Sequence, residues 1–210
     1  MIYDILNKIS HKKIKFAEIG VHFGETTLKV CSMLTEGSEV HIFDRENVTK
    51  KVGEKIKKLY KDKIIVKEFG VTEGMKPKNF GSGAQENGGH QRGGGDYNWD
   101  LIKLVEQQNI KYDYVYLDGA HELTIDGLAF FLVDKLLKIN GYIEFDDYGW
   151  TMGNSGTCSP YPPVNNTTYA EKFTEEQINT PHIKLIVDNL VKTDNRYKEI
   201  VANRIYQKIK

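Results

Sequence analysis

The sequence predicts an α/β fold in which an antiparallel hairpin completes a parallel sheet. Five short apolar runs alternate with amphipathic stretches of helical spacing, and this alternation is typical of βαβ units. Two further strand-like runs, at residues 197–201 and 204–209, are separated only by Ala202 and Asn203, which indicates a hairpin. The 210 residues suit one domain that spans positions 1–210.

Each predicted element rests on a local pattern. The predicted strands are apolar runs that lead into a glycine or an acid, at residues 14–19, 39–44, 64–69, 112–117 and 142–145. The predicted helices repeat apolar side chains every three or four residues, at residues 25–34, 50–60, 99–108 and 123–139, with a last helix after residue 180. Asn140 and Gly141 are expected to end the fourth helix, and Pro181 suits the first turn of the last one.

Two segments interrupt this alternation. Residues 72–96 hold eight glycines, and residues 149–169 hold three prolines among small polar side chains. Long segments without regular structure in a compact domain are usually functional or disordered. We therefore expect a glycine-rich loop or lid at 72–96 and a loop on the substrate side of the fold at 149–169.

Composition excludes several classes of function. Lysine plus arginine equals aspartate plus glutamate, 29 each, so the formal net charge is zero and no general attraction to nucleic acid or anionic lipid is expected. The longest apolar run is too short to cross a bilayer, and the N-terminus lacks a secretory pattern. Cys31 and Cys158 are expected to be free thiols. The prediction is a cytoplasmic protein that binds neither a membrane nor nucleic acid.

A glycine turn follows the first predicted strand. Gly20 and Gly24 are spaced G-x-x-x-G, which differs from the G-x-G-x-x-G of dinucleotide-binding turns and is equally compatible with a tight turn that binds nothing. Asp44 ends the second predicted strand, where an acid can accept hydrogen bonds from ribose hydroxyls. Together, in this order, they indicate a cofactor that contains adenosine.

Acidic residues follow the fourth and fifth predicted strands. Asp118 comes after one strand, and Asp146 with Asp147 after the next. If these strands are neighbours, three carboxylates converge and require a cation, for which oxygen ligands favour Mg²⁺, Mn²⁺ or Ca²⁺. The alternative is that Asp146 caps a turn and Asp147 is solvated. His121, three residues after Asp118, is then a candidate general base near neutral pH.

These motifs together resemble class I S-adenosylmethionine-dependent methyltransferases, and most closely the branch of macrocin-type sugar O-methyltransferases. The resemblance extends over residues 14–209 and rests on four segments of the chain, namely residues 18–24, Asp44, residues 117–122 and residues 141–148. It implies a Rossmann-like fold with a seven-stranded, mostly parallel sheet, an antiparallel C-terminal hairpin and helices on both faces. The glycine motif is shared by many methyltransferases, whereas the combination of D-G-x-H after strand four with D-D after strand five is found in far fewer of them.

The resemblance also implies roles for single residues. Those that would contact S-adenosylmethionine are Glu18, Gly20, Gly24, Thr26, Asp44, Arg45, Val71, Thr72 and Asp118. Within this set Asp44 would hold the ribose hydroxyls, and Val71 with Thr72 would lie near the adenine. A divalent cation, expected to be Mg²⁺, would be bound by Asp118, Asp146 and Asp147. His121 would be the catalytic base, with Asp118 beside it.

The expected activity is metal-assisted O-methylation of a small hydroxylated metabolite, with a sugar or nucleotide sugar as the expected acceptor; the oligomeric state is left open. A nicotinamide-dependent oxidoreductase is one alternative, and the glycine spacing and the terminal hairpin count against it. A non-catalytic nucleotide-binding module is another, but it leaves the acids and the histidine unexplained. Nucleic-acid methylation is disfavoured by the neutral charge and by the lack of an N-P-P-Y-type tetrapeptide after strand four.

Overall fold

The computed structural model of the chain describes residues 2–71 and 97–210. The glycine-rich loop expected at 72–96, which includes Thr72, lies outside the described residues. Val71 is the last residue of a strand, and only its backbone is described.

A seven-stranded sheet forms the centre of the fold. Its strands are β1 (Lys15–Ile19), β2 (Ser38–Arg45), β3 (Ile64–Val71), β4 (Tyr112–Leu117), β5 (Leu137–Phe145), β6 (Tyr197–Val201) and β7 (Ile205–Lys208). They lie in the order β3-β2-β1-β4-β5-β7-β6. The first five of this order pair in parallel, and β7 is antiparallel to both of its neighbours. The predicted parallel sheet with a terminal hairpin is therefore confirmed.

Helices cover both faces of the sheet. They are α1 (Ile2–Ile9), α2 (Glu25–Met33), α3 (Glu46–Tyr60), α4 (Tyr97–Gln107), α5 (Leu123–Leu136), α6 (Thr167–Lys172), α7 (Glu175–Asn179) and α8 (His182–Ile186), which continues as a π-helical turn, Val187–Val191. Because successive strand residues point to opposite faces, Phe16 packs with α1, α2 and α3, whereas Ala17 and Ile19 pack with α4, α5 and α8. None of the helices in the described part of the chain has the length and apolarity needed to cross a bilayer.

Two local predictions require correction, and one helix was not predicted. Helix α5 ends at Leu136 rather than at Ile139, because Leu137 is buried and pairs with Tyr112 of β4. Asn140, at a φ of +67°, therefore lies within strand β5 instead of ending a helix. Helix α1 was not predicted, although three of its residues are buried at helical spacing, namely Ile2, Ile5 and Leu6.

The segment expected to be a loop at 149–169 is partly helical. It contains a 3₁₀ turn, Met152–Asn154, and the first residues of α6. Met152 and Tyr169 pack with Ile178 of α7 in a small apolar cluster of their own. The segment is thus anchored to the domain next to the end of β5.

Candidate active site

The carboxyl ends of β1, β4 and β5 are tied together at one edge of the sheet. The backbone N–H of Asp118 donates to the carbonyl of Ile19, 2.8 Å away, and that of Asp146 donates to the carbonyl of Leu117, 3.1 Å away. These bonds continue the parallel ladders by one residue past each strand. The turns after β1, β4 and β5 therefore begin side by side, where ligands bind in open α/β sheets.

The two glycines of the first turn are required by close packing. Gly20 has a φ of +86°, and a Cβ built on it would lie 1.7 Å from the carbonyl oxygen of Asp118. Gly24 has a φ of +76° at the start of α2, and a Cβ there would lie 2.7 Å from Cγ1 of Val52. Both positions lie in the left-handed region that glycine adopts readily. Glycine at position 20 lets the β1 turn contact the backbone of the β4 turn directly.

Asp44 holds the glycine turn in place. Its Oδ2 accepts hydrogen bonds from the backbone N–H groups of Val21 and His22, both at 2.9 Å. Its Oδ1 accepts one from the N–H of Arg45, whose side chain is largely exposed. Since a carboxylate has about four acceptor sites, Asp44 retains capacity for a ligand.

The remaining expected cofactor contacts lie around this turn. Thr26 is half-buried in the first turn of α2. Val71 is in register with Arg45 across the β2–β3 ladder, which places the end of β3 beside Asp44.

Glu18 is a buried acid beneath the glycine turn. It is 2% exposed, and its Oε2 accepts a hydrogen bond from the Thr27 hydroxyl at 2.6 Å. Burial raises the pKa of Glu18 to about 8, and the charges of Asp118 and Asp44 add to this rise. Three acids thus converge below the turn, and Glu18 is mainly neutral at pH 7.

A pH-dependent stability follows from this buried acid. Its pKa is higher in the folded protein than its ordinary value of 4.5, so Glu18 stabilises the fold fully below pH 4.5 and loses that contribution as the pH rises to about 8. Relative to Glu18→Gln, the wild-type free energy of unfolding should fall by about 1.4 kcal/mol per pH unit within this window. Urea unfolding of both proteins between pH 5 and 9 measures it. A difference between the two that stays constant with pH would contradict the prediction.

Asp118, His121 and Asp147 converge beside the glycine turn. Nε2 of His121 lies 3.3 Å from Oδ1 of Asp118 and 3.4 Å from Oδ2 of Asp147. One ligand atom from each of the three residues lies within 4.8 Å of the others. His121 and Asp147 have φ values of +55° and +52°. Non-glycine residues held in this strained region tend to occur at functional sites.

The electrostatics of this cluster favour a positive charge between the two carboxylates. Burial lowers the pKa of His121, but the interaction with Asp118 and the charges of Asp126 and Asp147 outweigh it and raise the pKa above its ordinary value. Among the described residues, no group makes a well-aligned hydrogen bond with the buried Nε2 atom. The positive charge can therefore be a proton on His121 or a bound cation. Two carboxylate oxygens and an imidazole nitrogen fit Mn²⁺ or Zn²⁺ as well as Mg²⁺.

Asp146 is not part of this group of three residues and has other partners. Its Oδ1 lies 2.9 Å from Nη1 of Arg204, and its Oδ2 accepts a hydrogen bond from the Tyr116 hydroxyl at 2.6 Å. The structure thus brings together two of the three acids expected to bind metal, Asp118 and Asp147, and places His121 where Asp146 was expected.

Asp126 is a site residue that the sequence reasoning missed. It is fully buried in the first turn of α5, where it accepts hydrogen bonds from the Tyr97 hydroxyl and from the backbone N–H of Ala120. It therefore fixes the turn between Asp118 and His121. The sequence did contain an indication of this role, because Asp126 is an acid within the otherwise apolar helical pattern of residues 123–139.

Comparisons of the sequence with known proteins give only a partial match. No family model matches the chain. Among curated proteins, one of Lactococcus lactis subsp. lactis (strain IL1403) named nicotinate-nucleotide adenylyltransferase is 26% identical in an alignment of 119 residues that covers 52% of this chain and 57% of that protein. The chain thus matches little more than half the length of this relative.

Solved structures give a likeness over the whole chain. The O-methyltransferase from Bacillus cereus in complex with SAH has a TM-score of 0.56 and 14% identity, covering 100% of this chain and 77% of that one. The MycE methyltransferase of the mycinamycin biosynthetic pathway, in complex with Mg and SAH, has a TM-score of 0.51 and 12% identity, covering 99% and 48%. A protein of Clostridium thermocellum described as an rRNA methylase has a TM-score of 0.55 and 11% identity, covering 100% and 96%.

The chain therefore has the Rossmann-like fold of class I methyltransferases. Its neighbours in structure include S-adenosylmethionine-dependent O-methyltransferases. Of the three descriptions, only that of the Clostridium thermocellum protein names an acceptor, which is rRNA, so the fold leaves the acceptor of this chain undetermined.

Proposed function

We propose that this chain is an S-adenosylmethionine-dependent O-methyltransferase that acts, with a divalent cation, on a hydroxyl of a small metabolite such as a sugar or nucleotide sugar. The observation that carries the proposal is the convergence of Asp118, His121 and Asp147 beside the glycine turn, in a fold of this class. A base at this edge can take the proton of an acceptor hydroxyl, and the two carboxylates beside it can hold a cation.

The charges around the glycine turn fit the cofactor. Asp44 and Asp118 lie close enough to Glu18 to act on its pKa, and their charges favour a ligand with positive charge at the glycine turn. Glu18 itself is mainly neutral at pH 7 and adds little to this attraction. S-adenosylmethionine, when bound, supplies a sulfonium that carries an activated methyl group. The chain then has to hold the acceptor oxygen in line with that methyl group and to exclude water.

The proton of the acceptor hydroxyl is assigned to His121. Its Nε2 lies at the centre of the cluster, and Asp118 and Asp147 stabilise the imidazolium that forms when the proton arrives. A divalent cation, when held by the two carboxylates, supplies a Lewis acid that lowers the pKa of the acceptor hydroxyl. Nε2 cannot bind a cation and accept a proton at the same time, so the two roles of His121 are separable by experiment.

Titration calorimetry with S-adenosylhomocysteine tests the cofactor assignment. We expect binding in the micromolar range, loss of most of this affinity in Asp44→Asn, and unchanged binding in Asp62→Asn, a matched change at an exposed acid in the 3₁₀ turn Lys61–Lys63. The titration is repeated with Mg²⁺, with Mn²⁺ and after EDTA.

NAD and nicotinate mononucleotide serve as competing ligands in the same experiment. Binding of either one, with no response to S-adenosylhomocysteine, would replace the methyltransferase proposal with a nicotinamide-dependent enzyme or a nucleotide-binding module. The partial likeness to an adenylyltransferase makes nicotinate mononucleotide the more informative of the two.

A further inference from the structure

A polar network runs from the C-terminal hairpin to the candidate active site. Its inner end is Glu144 of β5, which is fully buried and contacts the Tyr114 hydroxyl through Oε2. Its Oε1 accepts a hydrogen bond from Nε of Arg204, a residue in the turn between β6 and β7. The same guanidinium bonds Oδ1 of Asp146 through Nη1, at 2.9 Å. One arginine thus bridges Glu144 within β5 and Asp146, the first residue after this strand.

The network reaches both carboxylates that face His121. The Tyr116 hydroxyl donates its single proton to Asp146, and its oxygen is also in contact with Oδ2 of Asp118 at 3.5 Å. Asp147 directly follows Asp146 and is held at a positive φ, so the position of Asp146 determines where the backbone of Asp147 begins. The network thus contacts Asp118 through the Tyr116 hydroxyl, and it is connected to Asp147 through the peptide bond between Asp146 and Asp147.

We propose that Arg204 is a positioning residue, which through Asp146 and Tyr116 fixes the two carboxylates around His121. The effect of Arg204 on catalysis rests on the proposed function. Its effect on the positions of Asp118 and Asp147 does not, because these contacts exist in the protein without ligands.

The backbone at Arg204 is held independently of its side chain. Its carbonyl accepts a hydrogen bond from the N–H of Phe145 at 2.9 Å, so a change of side chain leaves the turn attached to β5. A planar guanidinium can bond two carboxylates at once, whereas an ammonium group is a point charge. Arg204→Lys therefore keeps the charge beside Glu144 and Asp146, but it replaces the two donor nitrogens Nε and Nη1 with one and cannot keep both bonds in the present geometry.

The hairpin also offers matched controls. Arg196 bonds Asp134 through Nη1 at 2.8 Å, and the Tyr197 hydroxyl bonds the other oxygen of Asp134 at 2.8 Å. This arginine–aspartate–tyrosine group repeats the Arg204 arrangement away from the cluster. The test pair is Arg204→Lys and Tyr116→Phe, and the control pair is Arg196→Lys and Tyr197→Phe.

The first readout is the pair of imidazole ¹⁵N chemical shifts of His121, measured by NMR in metal-free protein at one pH. We expect both test variants to shift the Nε2 resonance and both control variants to leave it unchanged, with native circular dichroism in all four. Tyr116→Phe removes only a hydroxyl, so it remains informative if Arg204→Lys fails to fold. An unchanged His121 signal in a folded test variant would overturn the proposal.

The second readout separates this inference from the proposed function. In the active enzyme, Arg204→Lys should lower kcat about 10-fold or more and leave the KM for S-adenosylmethionine within about twofold, as supporting residues around a reactive group do. An equal loss in Arg196→Lys would point to general weakening of the hairpin and would also overturn the proposal. If the wild type binds no S-adenosylhomocysteine but His121 shifts as expected, the proposed function fails and the positioning role stands.

Discussion

Gly20→Ala is expected to lower the free energy of unfolding by about 3 to 5 kcal/mol. An alanine Cβ at this position would lie 1.7 Å from the carbonyl oxygen of Asp118, so the β1 and β4 turns would have to separate. The left-handed φ of +86° adds about 1 to 2 kcal/mol for any residue with a Cβ. Urea unfolding followed by circular dichroism measures the change.

Gly149→Ala provides the matched control. Apart from its two chain neighbours, no described residue has an atom within 4 Å of a Cβ built at Gly149. The free energy of unfolding of Gly149→Ala should therefore stay within about 0.5 kcal/mol of the wild type. Because the Gly20 contact joins two turns of the candidate site, a folded Gly20→Ala protein should also bind S-adenosylhomocysteine more weakly. Stability equal to that of Gly149→Ala would mean that the two turns do not touch.

The sequence predicted the sheet well because strand signals are local. Each parallel strand is an apolar run, and the run that ends before Asp118 has the bounds that the structure shows for β4. The end of α5 was misplaced because the apolar residues keep helical spacing up to Ile139. In the structure Leu137 instead leaves the helix and pairs with β4, which stabilises it more than another helical turn would. That gain comes from a tertiary contact, which a window of local sequence does not contain.

The candidate site was predictable where its residues share a turn. Asp118 and His121 are three residues apart, and their proximity follows from spacing alone. The sequence did not predict that Asp146 and Asp147 would have different partners. Asp146 pairs with Arg204, which lies in another part of the chain. Charge pairing over such a distance leaves no periodic signal. The same holds for Glu18, whose raised pKa reflects burial and charges from other strands.

His121→Ala should lower turnover about 100-fold or more, since a general base contributes factors of this size or larger. The affinity for S-adenosylhomocysteine should stay within about twofold, because His121 contacts the two carboxylates rather than the glycine turn. Single-turnover rates and calorimetric titration measure the two quantities separately. His11→Ala is the control, because His11 is exposed before the amino end of β1, at the opposite edge of the sheet.

The metal affinity of the same variant decides between the two roles of Nε2. If His121 is the base, Mn²⁺ should bind His121→Ala nearly as well as the wild type, and Asp147→Asn should lose most of that affinity. If His121 is a metal ligand, both variants should lose most of their Mn²⁺ affinity, and the base must be another group.

Asp146→Asn should instead disturb the Arg204 bridge and lower the free energy of unfolding more than the metal affinity, because the two carboxylate oxygens of Asp146 already bond Arg204 and Tyr116. Activity that is unchanged in EDTA would remove the cation from the mechanism and leave the imidazolium as the positive charge between Asp118 and Asp147.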